Sequence, residues 1–229
     1  MPRRQCATVS LCQISLKCFT ISSYLAGTKR LNRPSEAQAK GIEAVKILFE
    51  TRFSFFGESG WRSRASRDPG RLFDPQRLNS RLALFEAITL PSLAGQSDPD
   101  FHMVVLSSDL MPPRFRKRLR TLCADMLGAE RVDVLFQPFQ KAGFAFRRYA
   151  RRTFRNEDWL AQVVLDDDDA LSNDFVTACK HEADHIAASP YDADKATFLS
   201  FASGYSVGME GTTATWLAQD RKEIGRAHV

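Results

Sequence analysis

Residues 166–169 are four consecutive aspartates, Asp166, Asp167, Asp168 and Asp169, directly after the apolar run Leu160-Ala161-Gln162-Val163-Val164-Leu165. Adjacent carboxylates repel one another, so the fold must answer them with a cation or with the positive end of a helix. An oxygen-preferring divalent ion, Mg2+ or Mn2+, would relieve the repulsion while bridging to a diphosphate. In extended geometry Asp166 and Asp168 project to one side as an Asp-x-Asp pair. One or two acids satisfy a helix start and four exceed that need. Ser172 or Asn173 can still open a helix just beyond, so the run can serve both ends.

A second constellation is His181-Glu182-Ala183-Asp184-His185, the H-E-x-x-H spacing in which two imidazoles one turn apart bind zinc and the glutamate is a base. Helical phase argues against a zinc hydrolase built on His181, Glu182 and His185. Phe175, Cys179, Ala183 and Ile186 define the apolar face, and His181 falls nearly opposite it, so the pair is expected to face water. A third group is the arginine cluster Arg147, Arg148, Arg151, Arg152 and Arg155, whose guanidinium forks suit phosphate oxygens. Such clusters are more often a solvated face. Arg52 is a further phosphate candidate from its position at a strand end.

The elements that must position these residues follow from periodicity. Residues 46–56 contain a strand ending near Arg52 to Ser54, followed by a loop over 57–70 long enough to suspect function. Asp74-Pro75 is a helix start, and Leu78, Leu82, Phe85 and Ile88 share its apolar face. The helix is expected to reach Leu90 or Leu93. Phe101 to Leu106 is a buried strand; Pro112-Pro113 opens a helix with Phe115, Leu119, Leu122 and Met126 on one face and Arg116, Lys117 and Arg120 opposite. Val132 to Phe136 is a strand, Phe144 to Phe154 a helix, and Leu160 to Leu165 the strand that delivers the aspartates. After them, Thr197 to Ser203 and Tyr205 to Met209 form an expected strand pair.

Alternating strands and helices of this kind build a parallel α/β sheet, in which ligands bind beyond the carboxyl ends of the strands. Arg52 and the Asp run both stand at such ends. Neither a G-x-G-x-x-G after the first strand nor a G-x-x-x-x-G-K-[ST] occurs, so dinucleotide and P-loop readings lose their main support.

A chain of 229 residues, 44% hydrophobic, can bury a sizeable core, and no apolar run approaches the ~20 residues needed to cross a bilayer. The net charge of +5 is concentrated in residues 1–44, which hold seven bases and two acids; residues 45–229 carry 25 of each sign. The globular part is therefore neutral and nucleic acid is not an expected partner. Cys6, Cys12 and Cys18 lack zinc-ribbon spacing, and Cys123 and Cys179 sit in apolar helical patterns as small buried thiols. Residues 1–44 are expected to be a disordered or non-native leader, 45–222 the folded domain, and 223–229 a non-native tail that resembles translated sequencing adapter. On that expectation the fold is truncated at its C-terminus.

Thr51-Arg52-Phe53-Ser54, Leu72-Phe73-Asp74-Pro75-Gln76-Arg77-Leu78, the stretch from Leu90-Pro91-Ser92-Leu93 to Asp98-Pro99-Asp100-Phe101, and Leu165-Asp166-Asp167-Asp168-Asp169-Ala170 together resemble the bacterial putative rhamnosyltransferase family. More broadly they are similar to family 2 glycosyltransferases of Rossmann-like GT-A fold, over roughly residues 46–215. The resemblance implies a metal-dependent transferase that takes a sugar from a nucleotide-diphosphate donor, with dTDP-rhamnose the candidate, and passes it to a glycan or other hydroxyl acceptor. It implies a cytoplasmic location at the inner-membrane surface and a role in bacterial polysaccharide synthesis. By the same resemblance Asp166 would lie near the nucleotide ribose and Asp168 or Asp169 would hold Mg2+ or Mn2+. The expected nucleotide-sugar-binding residues are thus Asp166, Asp167 and, from its strand-end position, Arg52, and the expected metal ligands are Asp168 and Asp169. A carboxylate base would activate the acceptor, and it normally comes from the acceptor half. Glu210 is the only nearby carboxylate there and nothing marks it out, so the catalytic group is unassigned and a donor-side fragment without activity is expected. The alternative is a non-catalytic nucleotide-binding or assembly module of the same fold.

Overall fold

A computed structural model describes residues 18–22, 45–58, 65–157, 159–188, 197–201, 203–210 and 213–220. The strands are β1 (Cys18–Ser22), β2 (Lys46–Arg52), β3 (His102–Ser108), β4 (Val132–Gln137), β5 (Leu160–Val164), β6 (Thr197–Ser200), β7 (Ser203–Glu210) and β8 (Thr213–Asp220). The helices are α1 (Pro69–Leu72), α2 (Pro75–Leu84), α3 (Leu90–Ala94), α4 (Pro113–Leu127), α5 (Ala142–Thr153) and α6 (Phe175–Ala188).

Six strands form one sheet in the order β4-β3-β2-β5-β1-β6. The four strands β4, β3, β2 and β5 run parallel, with helices on both faces, which is the Rossmann-like α/β architecture expected from the alternating pattern. Alternation along β2 explains the two layers. Ile47, Phe49 and Phe53 pack on one face with Leu78, Leu82, Phe85, Leu90, Phe115, Leu119, Phe175 and Cys179. Leu48 points to the other face, where Val104, Leu106 and Leu160 meet Ala145, Phe146 and Tyr149 of α5. The chain winds from β2 outward to β3 and β4 and then returns across the opposite face through α5 to β5. The order therefore reverses between β2 and β5, a topological switch point whose carboxyl edge is the crevice such sheets offer to ligands.

Several local features differ from the sequence pattern. The loop expected over 57–70 ends in a 3-10 turn at Ala65–Arg67 and the short α1, because Asp68-Pro69 repeats the Asp-Pro start of α2; Asp68 accepts from the Gly70 N–H at 2.9 Å. Between α2 and α3 the residues Phe85–Thr89 form a π-turn. Its extra residue shifts the helical phase, so that Thr89 and Leu90 are fully buried and Ile88 only partly so. The same wider turn accommodates Pro91, which has no N–H to offer the ladder. On α4 the fully buried stripe is Phe115, Leu119, Cys123 and Leu127, with Leu122 and Met126 flanking it; Arg116 and Arg120 lie over the Phe136 ring at 5.8 and 4.7 Å.

The expected pairing of 197–203 with 205–209 is replaced by two separate arrangements. Strand β6 pairs antiparallel with β1, and β7 pairs with β8 in its own two-stranded sheet. Cys18–Ser22 shows no strand period in the sequence, yet its backbone fills the slot between β5 and β6, antiparallel to both. A ladder is made by main-chain groups, which carry no side-chain signature. The rest of the proposed leader and the proposed tail at 223–229 lie outside the described residues, as do the side chains of Ile186 and Glu210.

Candidate functional site

Strands β2 and β5 are hydrogen-bonded neighbours, and the ladder is extended by the Leu165 N–H donating to the Glu50 carbonyl at 3.1 Å. The two strand ends therefore release Arg52 and Asp166 side by side. Arg52 Nη2 donates to Asp166 Oδ1 at 3.2 Å, with both side chains partly exposed.

The aspartate run is a turn, which corrects the extended geometry assumed from sequence: the Asp169 N–H donates to the Asp166 carbonyl at 3.2 Å. Asp166 and Asp168 are nevertheless the half-exposed pair, and Asp167 and Asp169 are buried, each 4% exposed. The charge is answered largely by an arginine that the sequence did not single out. Arg81, on α2, donates through Nε to Asp167 Oδ2 at 3.1 Å and through Nη2 to Asp167 Oδ1, while its Nη1 donates to Asp168 Oδ2 at 2.9 Å. Burial alone would lower the Arg81 pKa, but Asp167 and Asp168 outweigh it and raise it. Burial pushes the Asp167 carboxyl up from the ordinary range, and Arg81 opposes that push.

Arg77 stands one turn before Arg81 on α2. Its Nη1 donates to Ser54 Oγ and to the Leu72 carbonyl, both at 2.9 Å. Ser54 adopts φ 45°, the left-handed region that a non-glycine residue enters only at a cost, so Arg77 fixes a strained residue at the mouth of the switch point. Burial, then the neighbouring Arg81, pull the Arg77 pKa below its usual value. Asp74 caps the helix that carries both arginines, its Oδ1 accepting the Arg77 backbone N–H at 2.9 Å. In the sequence Arg77 stood inside the motif Leu72-Phe73-Asp74-Pro75-Gln76-Arg77-Leu78, whereas Arg81 had only its i, i+4 spacing from Arg77 beside Leu78 and Leu82.

A further ionisable group missed in the sequence is Glu50, 6% exposed in the middle of β2 on the face of Arg52. Gln162 Nε2 donates to Glu50 Oε1 at 2.7 Å. Burial raises the Glu50 pKa to about 7, against the opposing pull of the Gln162 hydrogen bond and of the Arg147 charge. The signal available was an acid within the apolar stretch Ile47-Leu48-Phe49-Glu50-Thr51.

The segment after α3 is a clamp. Gln96 donates from Nε2 to the Ser92 and Ser172 carbonyls and accepts the Val176 N–H, and Lys180 bridges Asp98 and Asp100 at 2.8 and 2.9 Å. It ties the end of α3 to the start of α6, so that the Asp turn is held from both sides.

His181 and His185 are exposed on α6, as their phase predicts, with Nε2 atoms 3.2 Å apart. Among the described residues no three His, Cys, Asp or Glu side chains converge on a metal position. A Mg2+-type ion needs no such cage, because one or two carboxylates plus substrate phosphates suffice. Of the two expected metal ligands, Asp168 offers carboxylate oxygen from a partly exposed side chain paired with Arg81, whereas Asp169 is buried. The arginines 147, 148, 151, 152 and 155 lie on the outer face of α5 and just beyond it. Cys123 and Cys179 are buried thiols pushed by burial up to about 12, so they are unreactive.

Fold and site together define a Rossmann-like α/β protein with an arginine-braced acidic turn at its switch point. The chain belongs to the family described as putative rhamnosyl transferase, whose model matches residues 46–228. Glycosyl transfer is thus the class of activity that the family carries. No curated protein and no solved structure matches the chain. No helix among the described residues is long and apolar enough to cross a membrane.

Proposed function

We propose that this chain binds a nucleotide-diphosphate sugar, with dTDP-rhamnose the leading donor, at the carboxyl edge between β2 and β5 and passes the sugar to a hydroxyl of a bacterial surface glycan. The observation that carries the reading is the Arg52–Asp166 pair across the switch point, backed by Arg81 on Asp167 and Asp168. In this assignment Arg52 and Asp166 meet the donor, the guanidinium on a phosphate and the carboxylate on a sugar hydroxyl. Asp167 joins them as the anchor of Arg81, since both its oxygens are taken.

Asp168 and Asp169 are assigned to a divalent cation, Mg2+ or Mn2+, with half-exposed Asp168 the leading ligand. When bound, such an ion offsets the charge of a departing diphosphate. The protein's own part is to hold Asp168 through Arg81 and Arg77 through Ser54, so that the loops need little rearrangement as the donor arrives.

Calorimetric titration with dTDP and with UDP, in Mn2+ and in chelator, tests this. Metal-dependent binding that Asp168→Ala abolishes is the expected result. No binding of either nucleotide would sink the donor site, and binding without sugar transfer from a radiolabelled donor would leave only the donor-binding part of the reading standing.

A further inference from the structure

Helix α5 carries a surface that the donor site does not use. Its inner face is apolar, with Ala142, Ala145, Phe146, Tyr149 and Ala150 buried against the sheet. Its outward side, with the turn that follows, exposes Arg147, Arg148, Arg151, Arg152 and Arg155, and Lys141 precedes it. No acid occurs from 134 to 156, and residues 45–229 balance in charge only because this strip offsets an excess of acids elsewhere. Two large apolar side chains flank the amino end of this basic strip: Phe139 is 58% and Phe144 51% exposed. The Phe139 ring packs edge-on against Phe56 at 5.3 Å, and the Arg148 guanidinium stands 5.9 Å from the Phe144 ring centroid.

We propose that the outer face of α5 is a docking surface for an anionic phospholipid bilayer. Six bases along one side attract a negatively charged plane, and exposed phenyl groups beside them gain by entering the boundary between headgroups and acyl chains. A helix lying flat on its own sheet presents a convex face, which a bilayer accommodates along its whole length. Single-stranded nucleic acid instead requires a positively charged groove with stacked aromatic platforms. The strand-to-helix turn at Phe139 follows the carboxyl end of β4, on the edge where β2 and β5 end, so a bilayer seated on α5 would lie beside the donor crevice.

The test uses the full chain and sedimentation with two vesicle types, phosphatidylcholine alone and phosphatidylcholine mixed with phosphatidylglycerol. Binding is expected only to the anionic vesicles, weakening as salt is raised, with each arginine removed costing roughly fivefold in affinity. The paired reversal Arg148→Glu with Arg152→Glu is expected to abolish sedimentation while circular dichroism stays that of the parent. Phe144→Ser is expected to weaken binding at unchanged charge. Equal binding to both vesicle types, or sedimentation unaffected by the reversal in folded protein, overturns the proposal. So does tighter binding to single-stranded RNA than to the anionic vesicles. Nucleotide titration of the same reversal variant keeps this result separate from the donor site, which the substituted residues do not touch.

Discussion

Arg81 on α2 engages both carboxylate oxygens of Asp167, 86 residues further along the chain, with the carboxylate side chain 6% exposed. A buried carboxylate without a partner is expensive, and a bidentate guanidinium is the geometry that best offsets it. The pair therefore fastens the acidic turn to α2. Arg81→Ala is expected to lower stability by about 3–5 kcal/mol, the cost of leaving such a charge uncompensated. Adding Asp167→Asn is expected to recover part of that loss, which urea denaturation of the two single variants and the double variant would measure. The Arg81→Ala deficit should also shrink in acid, where Asp167 is protonated and needs no counter-charge.

Glu50 supplies a pH dependence of opposite origin. Its pKa rises from 4.5 to about 7 on folding, chiefly through burial. A carboxyl raised in the folded state costs nothing below its unfolded pKa, where both states hold the proton, and the full penalty is present above its folded pKa. Glu50→Gln keeps an oxygen to accept from Gln162 and removes the charge. The variant is therefore expected to exceed the parent by up to roughly 3 kcal/mol near pH 8 and to match it near pH 4.5, as judged by denaturation midpoints across that range. A constant difference with pH would contradict the buried, titrating Glu50.

Gly57 sits where the loop after β2 crosses the start of α5. A Cβ there would lie 2.3 Å from Phe55 Cε1 and 2.5 Å from the Gln140 carbonyl oxygen. That carbonyl accepts the Glu58 N–H at 3.0 Å, and the Ala142 N–H donates to Glu58 at 2.9 Å. Backbone atoms cannot step aside cheaply, so Gly57→Ala is expected to cost about 2 kcal/mol. Faster hydrogen exchange at the Glu58 and Ala142 amides would show that this crossing is what opens.

Asp74 and Asp68 make similar caps on unequal helices. Removing the Asp74 cap is expected to cost about 1 kcal/mol and also to loosen the helix that carries Arg77 and Arg81. Asp68 caps only the four-residue α1. Asp74→Ala should thus weaken nucleotide binding more than Asp68→Ala does, by calorimetry under identical metal conditions. Equal effects would mean that α2 does not position the site.

Much of the fold was legible because its signals are local. Apolar runs marked β2 to β5, Asp-Pro and Pro-Pro marked the starts of α2 and α4, and four adjacent acids announced charge that something must answer. The orientation of His181 and His185 followed from helical phase alone. What the sequence could not disclose depends on neighbours distant in the chain. Nothing local ties Arg81 to Asp167; that pairing exists because the sheet order sets β5 beside β2 and α2 packs over their common face. The π-turn at Phe85–Thr89 likewise breaks a pattern that pure helical phase would carry to Ile88, since the packed core, not the period, decides which residue is buried. The partners of β6 and β7 were also hidden, because β-ladders join main-chain groups and any strand of suitable length can fill an open edge. The sequence by itself determined the strands β2 to β5, the main helices between them and the acids at the strand end. Tertiary structure alone decided which cations meet those acids, since charge pairing depends on distance in space and not on separation along the chain.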